Sequence, residues 1–173
     1  MTYESIDVTI RPMNEFDLDR IEYIERKSYA NPWDIEILSD IFYHQNVTAK
    51  VAIFKSKVIA YNFYSTFDTY IQIINITVMP NKRKRNVATN LMGDLFKADS
   101  NNKYPKNIDA WVNEAKIPML SFLRKHGFRP IGMAKQLFGK DDGILMRFGI
   151  LNDFSIPKEY QDMLEEFKYV QFE

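Results

Sequence analysis

A mixed α/β fold is what this sequence predicts: a central, mostly antiparallel twisted sheet of about six to seven strands flanked by helices. Three observations predict it. Short runs rich in β-branched and aromatic residues recur along the 173 residues and alternate with helix-spaced apolar stripes. Between Lys50 and Val78, three such runs succeed one another with connections suited to hairpins. Farther on, Tyr70–Val78, Val87–Ala98 and Ile108–Val112 read as strand, helix and strand, which suggests one parallel pairing.

From the N-terminus, Val8–Pro12 is a strand ended by proline, and Asn14 or Asp17 caps the next element. Leu18, Ile21 and Ile24, with Tyr29 nearby, give helical spacing on Asp17–Ser28. Asn31-Pro32-Trp33-Asp34 interrupts, and Asp34 caps a second helix through Ile35, Leu38, Ile41 and Phe42. Lys50–Lys55 and Val58–Thr66 are strands joined by a tight Ser56-Lys57 connection, and Tyr70–Val78 is apolar enough to sit centrally. Val87–Ala98 is a helix burying Val87, Leu91, Leu95 and Phe96. After a loop at Asn101–Pro105 comes the strand Ile108–Val112, and Pro118 suits the first turn of a helix over Met119–His126. Gly127 is its C-cap glycine. Phe128–Phe138 and Ile144–Phe148 form a hairpin around Lys140-Asp141-Asp142-Gly143, and Pro157–Phe167 is a short acidic helix. Residues 1–150 read as one domain and 151–173 as a C-terminal extension, with no linker long enough to divide domains.

Composition narrows the function. A chain that is 46% hydrophobic and 14% aromatic folds into a globule. Lys plus Arg and Asp plus Glu both total 23, so no overall field draws it to nucleic acid or an anionic membrane. The absence of cysteine excludes disulfides, thiolate zinc sites and a thiol nucleophile. His44 and His126 are far apart and lack a ligand pattern, so no metal is expected. With no signal peptide or membrane-length apolar run, the expected location is cytoplasmic, as a monomer or homodimer.

The most informative stretch is Ile73–Met92, which reads as a buried strand, a proline-marked turn, a basic loop and the start of a helix. A helix start leaves backbone N–H groups unpaired, and with the dipole they make a phosphate site. Lys82 to Arg85 add four consecutive cations. Alone, that run reads as a solvated turn or a nucleic-acid contact. Its place between strand and helix favours phosphate, and a short stripe on a neutral chain weighs against nucleic acid.

The element order and this motif resemble the GCN5-related N-acetyltransferase (GNAT) family. Its signature, Arg/Gln-x-x-Gly-x-Gly/Ala, falls on Arg83-Lys84-Arg85-Asn86-Val87-Ala88, with Asn86 where glycine is usual and Lys84 at a place glycine often holds. Phe122-Leu-Arg-Lys-His-Gly127-Phe128 resembles the family's helix ending in Gly-Phe. Tyr29-Ala-Asn-Pro-Trp33 and Asn75-Ile-Thr-Val78 resemble the RimI-type ribosomal-protein N-terminal acetyltransferases.

The resemblance implies direct acetyl transfer from acetyl-CoA to a small amine or a protein N-terminus, without a metal. It implies cofactor contacts at Ile76, Thr77, Val78, Arg83, Lys84, Arg85, Asn86, Val87, Ala88, Thr89 and Lys116, and acceptor contacts at Trp33 and Asn75. The family's base, acid and pantetheine-contacting asparagine positions fall on Trp111, Leu123 and Lys116. Neither Trp nor Leu exchanges protons at neutral pH. Glu114, in the loop near the expected base, and Tyr64 and Tyr70 are the candidate replacements, with packing the plainer reading for the two tyrosines. The alternative is a catalytically degenerate GNAT-fold protein that binds acyl-CoA or serves as a structural or interaction module.

Overall fold

A computed structural model describes residues 4–100 and 107–149 of the protein. Among the described residues seven strands and four α-helices form in the predicted order, and the chain divides into two compact units, Met1–Pro105 and Lys106–Glu173.

In the first unit, β1 (Thr9–Pro12), β2 (Val47–Phe54), β3 (Lys57–Thr66) and β4 (Tyr70–Val78) pair in that order, each antiparallel to the next. β2 starts earlier than predicted because Val47, Thr48 and Ala49 continue the ladder opposite Ser65, Tyr64 and Phe63. The β2–β3 turn has both Lys55 and Ser56 in the left-handed region, at φ 48° and 61°. That backbone hand matches the natural twist of paired strands, so the hairpin closes in two residues.

Register decides what each face of β4 carries. Phe63 lies opposite Asn75 and Tyr64 opposite Ile73, so Ile74 is bulged out of the ladder. Beyond the bulge, Asn75 and Thr77 share a face with Phe63 and Tyr61, while Ile76 and Val78 take the other.

Helices α1 (Leu18–Ser28) and α2 (Ile35–Tyr43) cover the first of these faces. Ile21, Ile24, Leu38, Val51, Tyr61 and Phe63 form its core, each fully shielded from solvent. Burial of each large side chain contributes about 1.5–3 kcal/mol. The entry to α1 is a single 3-10 turn over Glu15–Asp17, closed by a capping box between Asn14 and Asp17. Asp34 caps α2 by accepting from the Ile37 amide at 3.0 Å. On the opposite face α3 (Val87–Ser100) buries Val87, Leu91, Met92 and Leu95, and Phe96 is only half-buried. Met92 takes the place that spacing assigned to Phe96.

The second unit contains β5 (Asn107–Asn113), α4 (Ile117–Lys125), β6 (Arg129–Phe138) and β7 (Asp141–Phe148), with β7 paired antiparallel to both β5 and β6. Pro118 sits in the first turn of α4, and Gly127, at φ 91°, takes the left-handed position after its end. The final hairpin corrects the sequence reading. Phe138 pairs directly with Asp141, so the turn is Gly139-Lys140, and Asp141-Asp142-Gly143 open β7. Gly139 supplies the left-handed angle at φ 71°. The two carboxylates are half-buried and engaged: Asp141 accepts from Asn113 Nδ2 at 3.1 Å and Asp142 from the Gln136 amide at 2.9 Å. The loop expected at Asn101–Pro105 and the helix expected over Pro157–Phe167 lie outside the described residues.

Candidate active site

The chain leaves β4 at Val78 and passes through a 3-10 turn at Pro80–Lys82. Arg83 then folds back, its Nε donating to the Val78 carbonyl at 2.9 Å. Lys84 and Asn86 come next at φ 60° and 65°, both left-handed. These are the two positions where the sequence has a side chain in place of the expected glycine. Asn bears that conformation well; for Lys it costs about 1–2 kcal/mol. The loop is pinned from outside, by the Ile6 amide on the Arg85 carbonyl at 3.3 Å and by Asn86 Nδ2 on Ser5 Oγ at 3.3 Å.

Asn86 also starts α3, its carbonyl accepting from the Asn90 amide at 3.0 Å. The amides of Val87, Ala88 and Thr89 therefore precede the first rung of the helix ladder. Val87 is buried and anchors the turn, whereas Arg83, Lys84 and Asn86 are exposed. Left-handed residues two apart give the backbone pattern in which successive N–H groups converge on an anion. Together with the positive end of α3 and three cations, this loop can hold a diphosphate.

The face of β4 turned toward α1 holds a second constellation, which the sequence reading missed. Glu25 of α1 is 2% exposed and, among the described residues, pairs with no cation. Instead Tyr61 donates its hydroxyl to the carboxylate in a short bond. Asn75 Nδ2 and Thr77 Oγ1 each lie 3.4 Å from the same oxygen, Oε1. The other oxygen accepts from the Trp33 amide at 3.2 Å. Asn75 Nδ2 donates to the Tyr61 oxygen at 2.9 Å, Thr77 Oγ1 donates to Asn75 Oδ1 at 2.9 Å, and the Tyr29 hydroxyl meets Thr77 Oγ1 at 3.0 Å.

Burial raises the pKa of Glu25, and the hydrogen bonds from Tyr61, Trp33, Asn75 and Thr77 oppose it only in part. Burial also raises Tyr61 well above the ordinary phenol, helped by the Glu25 charge. Tyr29 is raised by burial as well. The sequence did carry a signal. Glu25 stands four residues after Ile21 and seven after Leu18, so a carboxylate occupies the apolar stripe of α1.

Of the expected site residues, Trp33, Asn75 and Thr77 thus meet around Glu25. Ile76 and Val78 are buried on the other face of β4. Tyr64 is buried, hydrogen-bonded to Thr48 and near Asp94 of α3, away from the Glu25 group. Tyr70 is buried at the start of β4 with its ring stacked on Phe67 at 4.5 Å.

In the second unit Glu114 is exposed, with its Oε1 accepting from the Asp142 amide at 3.2 Å. Lys116 is exposed at the N-terminus of α4. Leu123 is buried and Trp111 half-buried. His126 Nδ1 lies 2.8 Å from the Phe122 carbonyl, a helix-end contact. Among the described residues no three His, Cys, Asp or Glu side chains group so as to hold a metal ion. No helix among them is long and apolar enough to cross a membrane.

No protein-family model matches the chain, and no curated protein matches its sequence. Solved structures do match its fold. The ribosomal-protein-S18-alanine N-acetyltransferase of Escherichia coli superposes with a TM-score of 0.74 at 16% identity, over 85% of this chain and 99% of that one. NAA60 of Arabidopsis thaliana, solved with a bisubstrate analogue, gives 0.73 at 17% identity, over 85% and 100%. A GNAT family acetyltransferase from Elizabethkingia anophelis with acetyl-CoA bound gives 0.65 at 17%, over 83% and 98%. The chain has the fold of the GNAT acetyltransferases.

Proposed function

We propose that this protein is an acetyl-CoA-dependent N-acetyltransferase of RimI-like type, transferring an acetyl group to the primary amine of a protein N-terminus or a small molecule. The observation that carries the reading is the left-handed, cation-bearing loop from Arg83 to Ala88 at the start of α3. Its geometry suits a diphosphate, and it occurs in a fold shared with an enzyme solved holding acetyl-CoA. Within this reading the edge of β4 at Thr77-Val78 pairs its backbone with the pantetheine arm, and a backbone N–H there stabilises the tetrahedral oxyanion. Bringing amine and thioester together supplies much of the acceleration. Arg83, Lys84 and the Val87–Thr89 amides hold the pyrophosphate, and a cytoplasmic location suits this donor.

The test is ligand-linked stability. Acetyl-CoA at about a hundredfold over its Kd stabilises the fold by about 2.7 kcal/mol. The melting temperature therefore rises with acetyl-CoA. Arg83→Ala and Ala88→Asp abolish the rise while the variants stay folded. A transition unmoved by millimolar acetyl-CoA removes the proposal.

One observation favours a second reading. The position expected to donate a proton is Leu123, buried in the core, and the expected base position is Trp111. A GNAT-fold protein that binds acyl-CoA without turnover accounts for both. Release of free CoA in the presence of an amine separates the two readings.

A further inference from the structure

We propose that Glu25 is the proton acceptor for the attacking amine, reached through the hydroxyls of Thr77 and Tyr29. The inference rests on the acetyltransferase reading and goes beyond it, because it moves the base from the position at Trp111 to the buried face of β4.

The geometry supplies a continuous path. Tyr29 opens the Tyr29–Trp33 stretch that the resemblance sets beside the acceptor amine. Its hydroxyl meets Thr77 Oγ1 at 3.0 Å, and Thr77 Oγ1 lies 3.4 Å from Glu25 Oε1. Thr77 sits on β4 between Ile76 and Val78, the strand edge that receives the thioester in this reading. Glu25 is built to take and hold a proton: it is shielded from water, has no cation partner among the described residues, and is oriented by donors from Trp33, Tyr61 and Asn75 on three different segments, with Thr77 Oγ1 also 3.4 Å away. Glu25 stands at one end of a series of hydroxyls, Thr77 and then Tyr29. The other titratable groups around it are Tyr61 on β3 and Tyr29 beyond α1, with Arg83 acting on Tyr29.

The step balances. An ammonium proton passes to the Tyr29 oxygen, the Tyr29 proton moves to Thr77, and the Thr77 hydroxyl, turning from Asn75 Oδ1 to Glu25 Oε1, passes its own proton to the carboxylate. A neutral amine and a carboxylic acid result. The amine then attacks the thioester carbonyl, the C–N bond forms and the C–S bond breaks. The second nitrogen proton leaves with the thiolate as CoA thiol, and Glu25 later returns its proton to solvent. Glu25 acts through Thr77 and Tyr29, so it is a positioning and proton-holding group that does not touch the amine.

The experiment uses the full chain, acetyl-CoA, and a set of peptides with free N-termini plus free amino acids, with CoA release followed against pH. Glu25→Gln keeps an acceptor for the Trp33 amide but cannot take a proton. It is expected to lower kcat/KM by about a hundredfold or more and to remove the acid limb of the profile. KM for acetyl-CoA stays near wild type and the variant remains folded.

Tyr61→Phe removes a donor that favours the carboxylate, so the acid limb moves to higher pH. Tyr29→Phe breaks the path and slows turnover while leaving acetyl-CoA binding intact. Wild-type rate and profile in Glu25→Gln overturn the inference alone. If that variant does not fold, wild-type profiles in both Tyr61→Phe and Tyr29→Phe do the same. A wild-type chain that binds acetyl-CoA yet releases no CoA with any of these amines sinks the transferase reading and this inference together.

Discussion

Asp109 and Arg147 face each other as direct register partners on β5 and β7, joined by two charge-assisted hydrogen bonds of 2.8 Å. Their side chains are 0% and 2% exposed. Such a pair is held more by the penalty of breaking it than by a net gain from making it. Asp109→Ala, which strands a buried guanidinium, is expected to destabilise the protein by about 3–5 kcal/mol. The double variant Asp109→Leu/Arg147→Met should lose far less than the sum of the single changes. Urea denaturation of Asp109→Leu, Arg147→Met and the double measures the coupling; additive losses would contradict the account.

Lys84 and Asn86 carry the left-handed angles of the candidate phosphate loop. Lys84→Gly relieves the steric strain but gains unfolded-state entropy, so the net stabilisation is expected to reach no more than about 1 kcal/mol. Asn86→Gly changes little, because Asn already tolerates the region. Lys84→Val, β-branched at that φ, destabilises by more than Lys84→Gly stabilises. Thermal melts of the three variants rank these effects, and a Lys84→Val protein as stable as wild type would refute the conformation.

Glu25 and Asp17 pull stability in opposite directions with pH. Burial raises Glu25, so the folded state binds its proton more tightly than the unfolded chain does. Stability from this group is full below the ordinary value of 4.5 and is lost as pH rises through the higher folded value. Glu25→Gln is expected to flatten that decline.

Asp17 behaves in reverse. Hydrogen bonds from Arg11 at 2.7 and 2.8 Å, with one from the Asn14 amide, lower its pKa below 3.8. Its contribution is present above 3.8 and disappears as pH falls through the lower folded value. Asp17→Asn should make the protein less stable at neutral pH and less sensitive to acid. Unfolding free energies from pH 2 to 8 check both signs.

Arg83 tests how the loop is held. Its Nε is committed to the Val78 carbonyl, and the residue is exposed. Arg83→Lys keeps the charge but cannot make the fork. It is expected to lose most of the acetyl-CoA affinity, nearly as much as Arg83→Ala loses. Calorimetric titration reads this directly, and full affinity in Arg83→Lys would show that charge alone suffices.

The chain's own residues determined whatever depends on near neighbours. The bounds of Tyr70–Val78, the caps at Asn14 and Asp34, and the strand–loop–helix at Ile73–Met92 all come from spacing, and the structure has each of them. The last hairpin misled because Asp-Asp-Gly is good turn chemistry; pairing of Phe138 with Asp141 placed the turn at Gly139-Lys140 instead. The tertiary structure alone assembled the Glu25 group. Its side-chain partners lie 36 to 52 positions away on β3 and β4. Their common face depends on Ile74 leaving the ladder, and nothing in Ile73-Ile74 says which of the two will do so. Because strand side chains alternate every residue, that one-residue slip sets which side chains of β4 meet the helix, and only packing of the whole sheet fixes it.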